Sequence, residues 1–248
     1  MTLVITELSQ FGIAMVADSA VTCTEIPPSG QPIQRVLNGA LKLQVIPYLN
    51  AGVSVWGLGV LPTATGQVST DIWLSDFIVQ HSGIATLDEF ANTLAAELQT
   101  VAGQVQEVLG FHLAGYVDVD GQRLPTFYHV RNCDGTFRHY ELHEFIPGQD
   151  FPPQELGDRI YRTRNGDYGP YAILSAGVER VLPEIHADPN LNLTIPYPSL
   201  QGRIAYLTAW LRFVSELYAS SRLLRTIGGS MAALGISFDG QLMYYPAL

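Results

Sequence analysis

Lysine is almost missing from this chain: Lys42 is the single lysine among 248 residues, against 12 arginines. Charge of either sign is sparse, with charged residues at 15% and a formal net charge of −10. Cationic clusters able to track a phosphate backbone are therefore absent, which argues against a nucleic-acid partner. The densest basic stretch, Arg159-Ile160-Tyr161-Arg162-Thr163-Arg164, reads as a solvated loop or an interface. Cysteine is scarce as well. Cys23 and Cys133 stand far apart with no CxxC or Cys/His ligand spacing, so neither a disulfide framework nor a thiolate metal site is indicated. No apolar run reaches membrane-spanning length, and no signal-peptide pattern precedes the first strand. The expectation is a cytoplasmic protein with no membrane or nucleic-acid partner.

The chain does have a hydrophobic content of 47% and no linker-like division, which together predict one domain over residues 1–248 with a substantial core. Its amino end reads as a β-hairpin. Two apolar runs, Met1 to Leu8 and Ile13 to Ser19, flank the polar turn Ser9-Gln10-Phe11-Gly12, with Asp18 at the exit. Thr2 follows the initiator Met directly. Removing Met1 would leave a threonine bearing a free α-amino group beside a hydroxyl, a base and a nucleophile on adjacent carbons.

Lys42 opens the next strand-like run, Lys42 to Ile46. A sequence that uses arginine everywhere else has an amine here, a compact charge whose ionisation responds to its surroundings where a guanidinium's does not. A leftover surface lysine is the alternative.

In this order and spacing the residues resemble the proteasome β-subunit family of amino-terminal nucleophile hydrolases, of the bacterial proteasome-related type. That family opens with a catalytic Thr on a hairpin, carries an acid sixteen residues later in an Ala-Asp-Ser-like context, and has a Lys leading into the next strand pair. Thr2, Ala17-Asp18-Ser19 and Lys42 stand in those places, and Gly57 matches the turn whose N–H serves as oxyanion donor. Ser175, in Pro170 to Gly177, matches the serine that the family sets beside the nucleophile. The resemblance implies an α+β fold, a four-layer αββα sandwich of two mostly antiparallel sheets between helices. It also implies threonine-type cleavage of peptide or other amide bonds without a cofactor, and assembly into a homo-oligomeric ring, with any unfoldase partner unknown. The chain departs from the family before Ile227-Gly228-Gly229, where the family carries an Asp and Leu224, Arg225 and Thr226 stand here. A catalytically silent scaffold and a small-molecule amidase of the same fold therefore remain as alternatives.

Further along, residues 20–40, with Pro27, Pro28, Gly30 and Pro32, read as an irregular excursion. Helices are expected over Thr70 to His81 and from a capping box at Thr86-Leu87-Asp88-Glu89 onward to Val108. Strands with turns at Asp120-Gly121 and Asp134-Gly135 follow, carrying His112, His129, His139 and His143, whose spacing gives a metal site no support. Glu144 to Gly169 reads as a long surface loop, Pro170 to Gly177 as a strand, Leu200 to Leu224 as a helix and the tail as a hairpin turning at Asp239-Gly240. Trp73, Phe77 and the long loop are candidate subunit contacts.

Overall fold

The computed structural model describes residues 2–25, 27–28, 30–31, 33–64, 66–132, 140–144, 160–188, 199–221 and 226–246. The amino-terminal hairpin forms as the apolar pattern predicts: β1 (Leu3–Ser9) and β2 (Gly12–Asp18) pair antiparallel and are buried throughout. Residues 20–40 differ from the expected irregular excursion. They contain a two-stranded ribbon, β3 (Val21–Glu25) and β4 (Ile33–Leu37), because the prolines cluster at its turn and leave Thr and Val/Ile residues free to pair on either side.

β5 (Leu43–Ile46), a 3-10 turn and β6 (Ala51–Gly57) follow Lys42 as expected, then the small hairpin of β7 (Val60–Thr63) and β8 (Gly66–Ser69). Helix α1 (Thr70–Gln80) leads to α2 (Leu87–Ala102). Thr86 caps α2 by accepting from the Glu89 N–H at 3.1 Å, and Glu89 reaches back to the Ala85 N–H at 3.3 Å, one residue before the partner a regular capping box would use. The helix stops at Gly103, short of Val108, since a glycine and an exposed Val108 end its apolar stripe.

The meander is β9 (Leu109–Val119), β10 (Gln122–Asn132) and β11 (Tyr140–Glu144), the first two joined by Asp120 and Gly121 at φ 52° and 77°, the left-handed pair of a tight hairpin turn. The expected turn at Asp134-Gly135, together with Cys133 and His139, lies outside the described residues.

Two corrections concern the second half. The expected loop from Glu144 to Gly169 contains β12 (Tyr161–Gly166), an edge strand paired with β1; residues 145–159 lie outside the described residues. Its arginines conceal it in the sequence, yet Arg162 has a buried partner, Glu7 of β1, at 2.9 Å. The expected strand over Pro170 to Gly177 is the start of α3 (Gly169–Ala187). Pro170 sits in the first turn, where its missing N–H costs nothing. Tyr171 is buried while Ile173 is 77% exposed, a one-sided helical pattern that a strand buried on both faces would not show. Helix α4 (Leu200–Ser220) and the closing strands β13 (Met231–Ile236) and β14 (Leu242–Tyr245) complete the chain, residues 222–225 lying outside the described set.

The strands form two five-stranded antiparallel sheets, ordered β12-β1-β2-β13-β14 and β11-β10-β9-β6-β5. Alternation along β1 decides what each face meets. Val4 and Leu8 join Met15, Leu43, Trp56 and Phe127 in an apolar cluster between the sheets, whereas Leu3 and Ile5 pack with Leu207 and Leu211 of α4. A third cluster joins the second sheet to α1 and α2 through Phe77, Phe90, Leu94 and Phe111. Phe77 is therefore core, 2% exposed, which leaves it no free surface for a subunit contact, and the partly buried Trp73 packs against it. His112 lies within the inter-sheet region, its Nδ1 3.1 Å from Thr6 Oγ1 and its Nε2 2.7 Å from Asn165 Oδ1. Full burial pushes its pKa down to about 4, so the ring is neutral at pH 7. The structure is a mixed α/β fold of antiparallel sheets with four α-helices among the described residues.

Candidate active site

The hairpin register sets the site's first pair. Because Val4 lies opposite Ala17, Asp18 falls opposite Leu3, and the Leu3 N–H donates to Asp18 Oδ1 at 2.9 Å. A residue sixteen positions after Thr2 is thereby brought against the same strand end. Asp18 is 1% exposed, and its carboxylate is satisfied on every side. Oδ1 also accepts from Lys42 Nζ at 3.1 Å, and Oδ2 accepts from the Ala20 N–H at 3.2 Å and the Gly228 N–H at 3.1 Å. One buried carboxylate thus ties together β1, the end of β2, the start of β5 and the Gly228-Gly229 turn. A buried acid with this many donors stays in place at little desolvation cost.

Lys42 is 4% exposed and donates to the Ala20 carbonyl as well as to Asp18. Burial pushes its ammonium below the ordinary lysine value, and the Asp18 charge opposes that shift. In such an environment a tunable amine differs from a guanidinium.

Lys42 and Thr2 line one cleft with Val21, Thr22, Gly57 and Asp71. Gly57 ends β6 with φ 92°, and a Cβ there would collide with the Val108 carbonyl, so the position requires glycine. The Leu58 N–H bonds to Val108 on the β9 side and the Val55 N–H to the Lys42 carbonyl on the β5 side. Gly57, one residue beyond Trp56 at the end of β6, lines the cleft with Lys42.

Ser175 is not brought to this cleft. It lies inside α3, 5% exposed, with Oγ donating to the Ala172 carbonyl at 3.3 Å. Where a serine was expected beside the nucleophile, the structure sets Gly166 and Asp167. The Asp167 N–H donates to the Thr2 carbonyl at 2.7 Å, and Gly166, at φ 92°, approaches so closely that a Cβ would overlap that carbonyl oxygen. Asp167 Oδ2 accepts from the Tyr218 hydroxyl at 2.5 Å and from Thr226 Oγ1 at 2.9 Å. Burial, reinforced by Asp167, pushes the Tyr218 phenol up to about 12. Asn165-Gly166-Asp167, a turn-forming triplet just ahead of a helix-starting Gly-Pro, was the available signal for this corner of the site.

The arrangement sets a threonine at a buried strand end, a buried Lys42–Asp18 pair and a strand-ending glycine around one cleft. Among the described residues no cluster of three His, Cys, Asp or Glu side chains has metal-binding geometry. His129 stacks at an angle on Trp56 and lies opposite His112 and His143 in the sheet register.

No protein-family model matches the chain, and no curated protein does. Among solved structures, the chain is similar to an Anbu (Gly-1) mutant from Hyphomicrobium sp. strain MC1, at 14% sequence identity over 98% of this chain and 85% of that one, with a TM-score of 0.48.

Proposed function

We propose that the chain is a threonine-type amino-terminal nucleophile hydrolase that cleaves amide bonds once Met1 is removed, with its sheets and helices in the four-layer αββα arrangement. The supporting observation is the convergence of Thr2, Lys42 and Gly57 on one cleft from three separate chain segments, with Asp18 of a fourth segment bonded to Lys42. Freed of Met1, the Thr2 α-amine has a reference pKa near 7.7–8.0, and the neighbouring Lys42 charge favours its neutral form. The amine takes the Thr2 hydroxyl proton as Oγ bonds to the substrate carbonyl carbon, and the Gly57 N–H meets the oxyanion that develops. Collapse of the tetrahedral species breaks the C–N bond, and the amine's proton passes to the leaving nitrogen. Water then hydrolyses the ester and restores Thr2. Peptides are the proposed substrates, since the cleft is bounded by the strand edge of Val21 and Thr22 on one side and the end of β6 on the other.

The test is turnover of a fluorogenic peptide panel by protein with a verified Thr2 amino terminus. Thr2→Ala should abolish turnover while leaving the circular dichroism spectrum unchanged. Wild-type turnover in Thr2→Ala would refute the assignment.

A further inference from the structure

The carboxylate that the resemblance leads one to expect just before Ile227-Gly228-Gly229 is absent from Thr226, but the fold brings one to Thr226 from elsewhere. Asp167, at the turn between β12 and α3, accepts the Thr226 hydroxyl through Oδ2 and the Tyr218 hydroxyl from α4 through the same oxygen. Both contacts fix its side-chain torsions. Its backbone N–H meanwhile grips the Thr2 carbonyl. Oδ1 has no hydrogen-bond partner among the described residues. The other charged groups near Thr2 are already committed. The Asp18 carboxylate is taken up by Lys42 and three backbone N–H groups, and Asp71 accepts the Leu41 N–H at 2.8 Å and the Ser69 hydroxyl.

We propose, resting on the hydrolase reading above, that Asp167 is a positioning residue for Thr2: its N–H fixes the nucleophile's backbone and its carboxylate is the counter-charge for the Thr2 α-ammonium. The ammonium forms when the amine takes the hydroxyl proton, so a fixed negative charge beside it stabilises the attacking state more than the resting one. Asp167 itself takes no proton; the transfer runs from Thr2 Oγ to the α-nitrogen and on to the leaving group.

The consequence is readable without turnover. In protein whose amino terminus is Thr2, the α-amine's titration is followed by competitive acetylation across pH, with mass spectrometry of the amino-terminal peptide. Asp167→Asn removes the charge and keeps the shape, and should lower the amine's pKa by about one unit, the lower end of what a nearby opposite charge does. The acid limb of kcat/KM should move to lower pH by the same amount, while the plateau falls. A purely structural role would lower the plateau and leave the limb in place. Asp167→Ser, a second neutral residue that retains the backbone N–H, provides the same reading if the Asn variant does not fold. An amine that titrates as in wild type in these variants overturns the proposal. A shifted amine in a protein that turns over no amide supports the pairing and instead overturns the hydrolase reading.

Discussion

At the scale of single residues, Lys42 is where composition and geometry agree. Its Nζ is held between the Asp18 carboxylate and the Ala20 carbonyl in a site 4% exposed, a setting shaped for a compact point charge and not for a planar fork. Lys42→Arg should therefore lower kcat/KM as far as Lys42→Ala does, by at least about a hundredfold, on the scale of a lost general acid–base contribution. Wild-type rates in the Arg variant would show that any cation suffices. The candidate positions Thr2, Asp18 and Lys42 were legible in the sequence because each belongs to a local pattern, a hairpin, its exit and an isolated lysine, and Gly57 through the family resemblance. Asp167 was not. Its role depends on Thr2, Tyr218 and Thr226, which only the folded chain brings near it, and nothing in its own neighbourhood names them. Ser175 was assigned from its match to the family's serine, on a run of small and apolar residues that fits a strand ending as well as a helix start.

At the scale of elements, β12 explains why part of the fold stayed hidden. Tyr161-Arg162-Thr163-Arg164 lacks an apolar face, as an edge strand can, and its pairing with β1 is secured by the buried Glu7. That carboxylate accepts from Arg162 Nε at 2.9 Å and from Arg203 of α4 at 2.6 Å through each oxygen. Periodicity identifies amphipathic elements such as α2 and cannot identify strands held by charges from distant segments. The end of β12 also delivers Gly166 onto Thr2. Gly166→Ala should cost about 3 kcal/mol or more and displace Thr2, because the clash is with backbone at a positive φ. Gly83→Ala, where a Cβ meets nothing within 4 Å, should change stability by under about 0.5 kcal/mol. Urea unfolding of both variants measures the contrast, and equal costs would show that the Gly166 approach is not tight.

At the scale of the whole molecule, the neutral His112 buried between the sheets makes stability depend on pH. Its folded pKa of about 4 lies below the ordinary 6.5, so the unfolded chain binds the extra proton. That contribution is full above pH 6.5 and is lost as pH falls from 6.5 toward 4, by roughly 3 kcal/mol at order of magnitude. His112→Gln should flatten this part of the urea-derived stability profile. An unchanged slope would place the acid sensitivity in other groups. Self-association is the second expectation. Ile72 and Val79 on α1, Leu37 at the end of β4 and Leu41 after it are each at least half exposed, a better-placed apolar surface than the buried Phe77. A closed ring requires head-to-tail contacts whose rotation closes. Light scattering at micromolar concentration should give a mass several times 27.1 kDa, whereas the monomer mass would refute assembly.

The most direct measurement is the covalent intermediate itself. Protein beginning at Thr2 is mixed with a peptide nitrophenyl ester, quenched in acid within the first turnover and weighed intact. A mass increase equal to the acyl group, mapped to Thr2, removed by hydroxylamine as an ester is, and absent from Thr2→Ala, is the predicted result. No acylation of Thr2, or equal acylation of the Ala variant at another residue, would contradict the threonine mechanism.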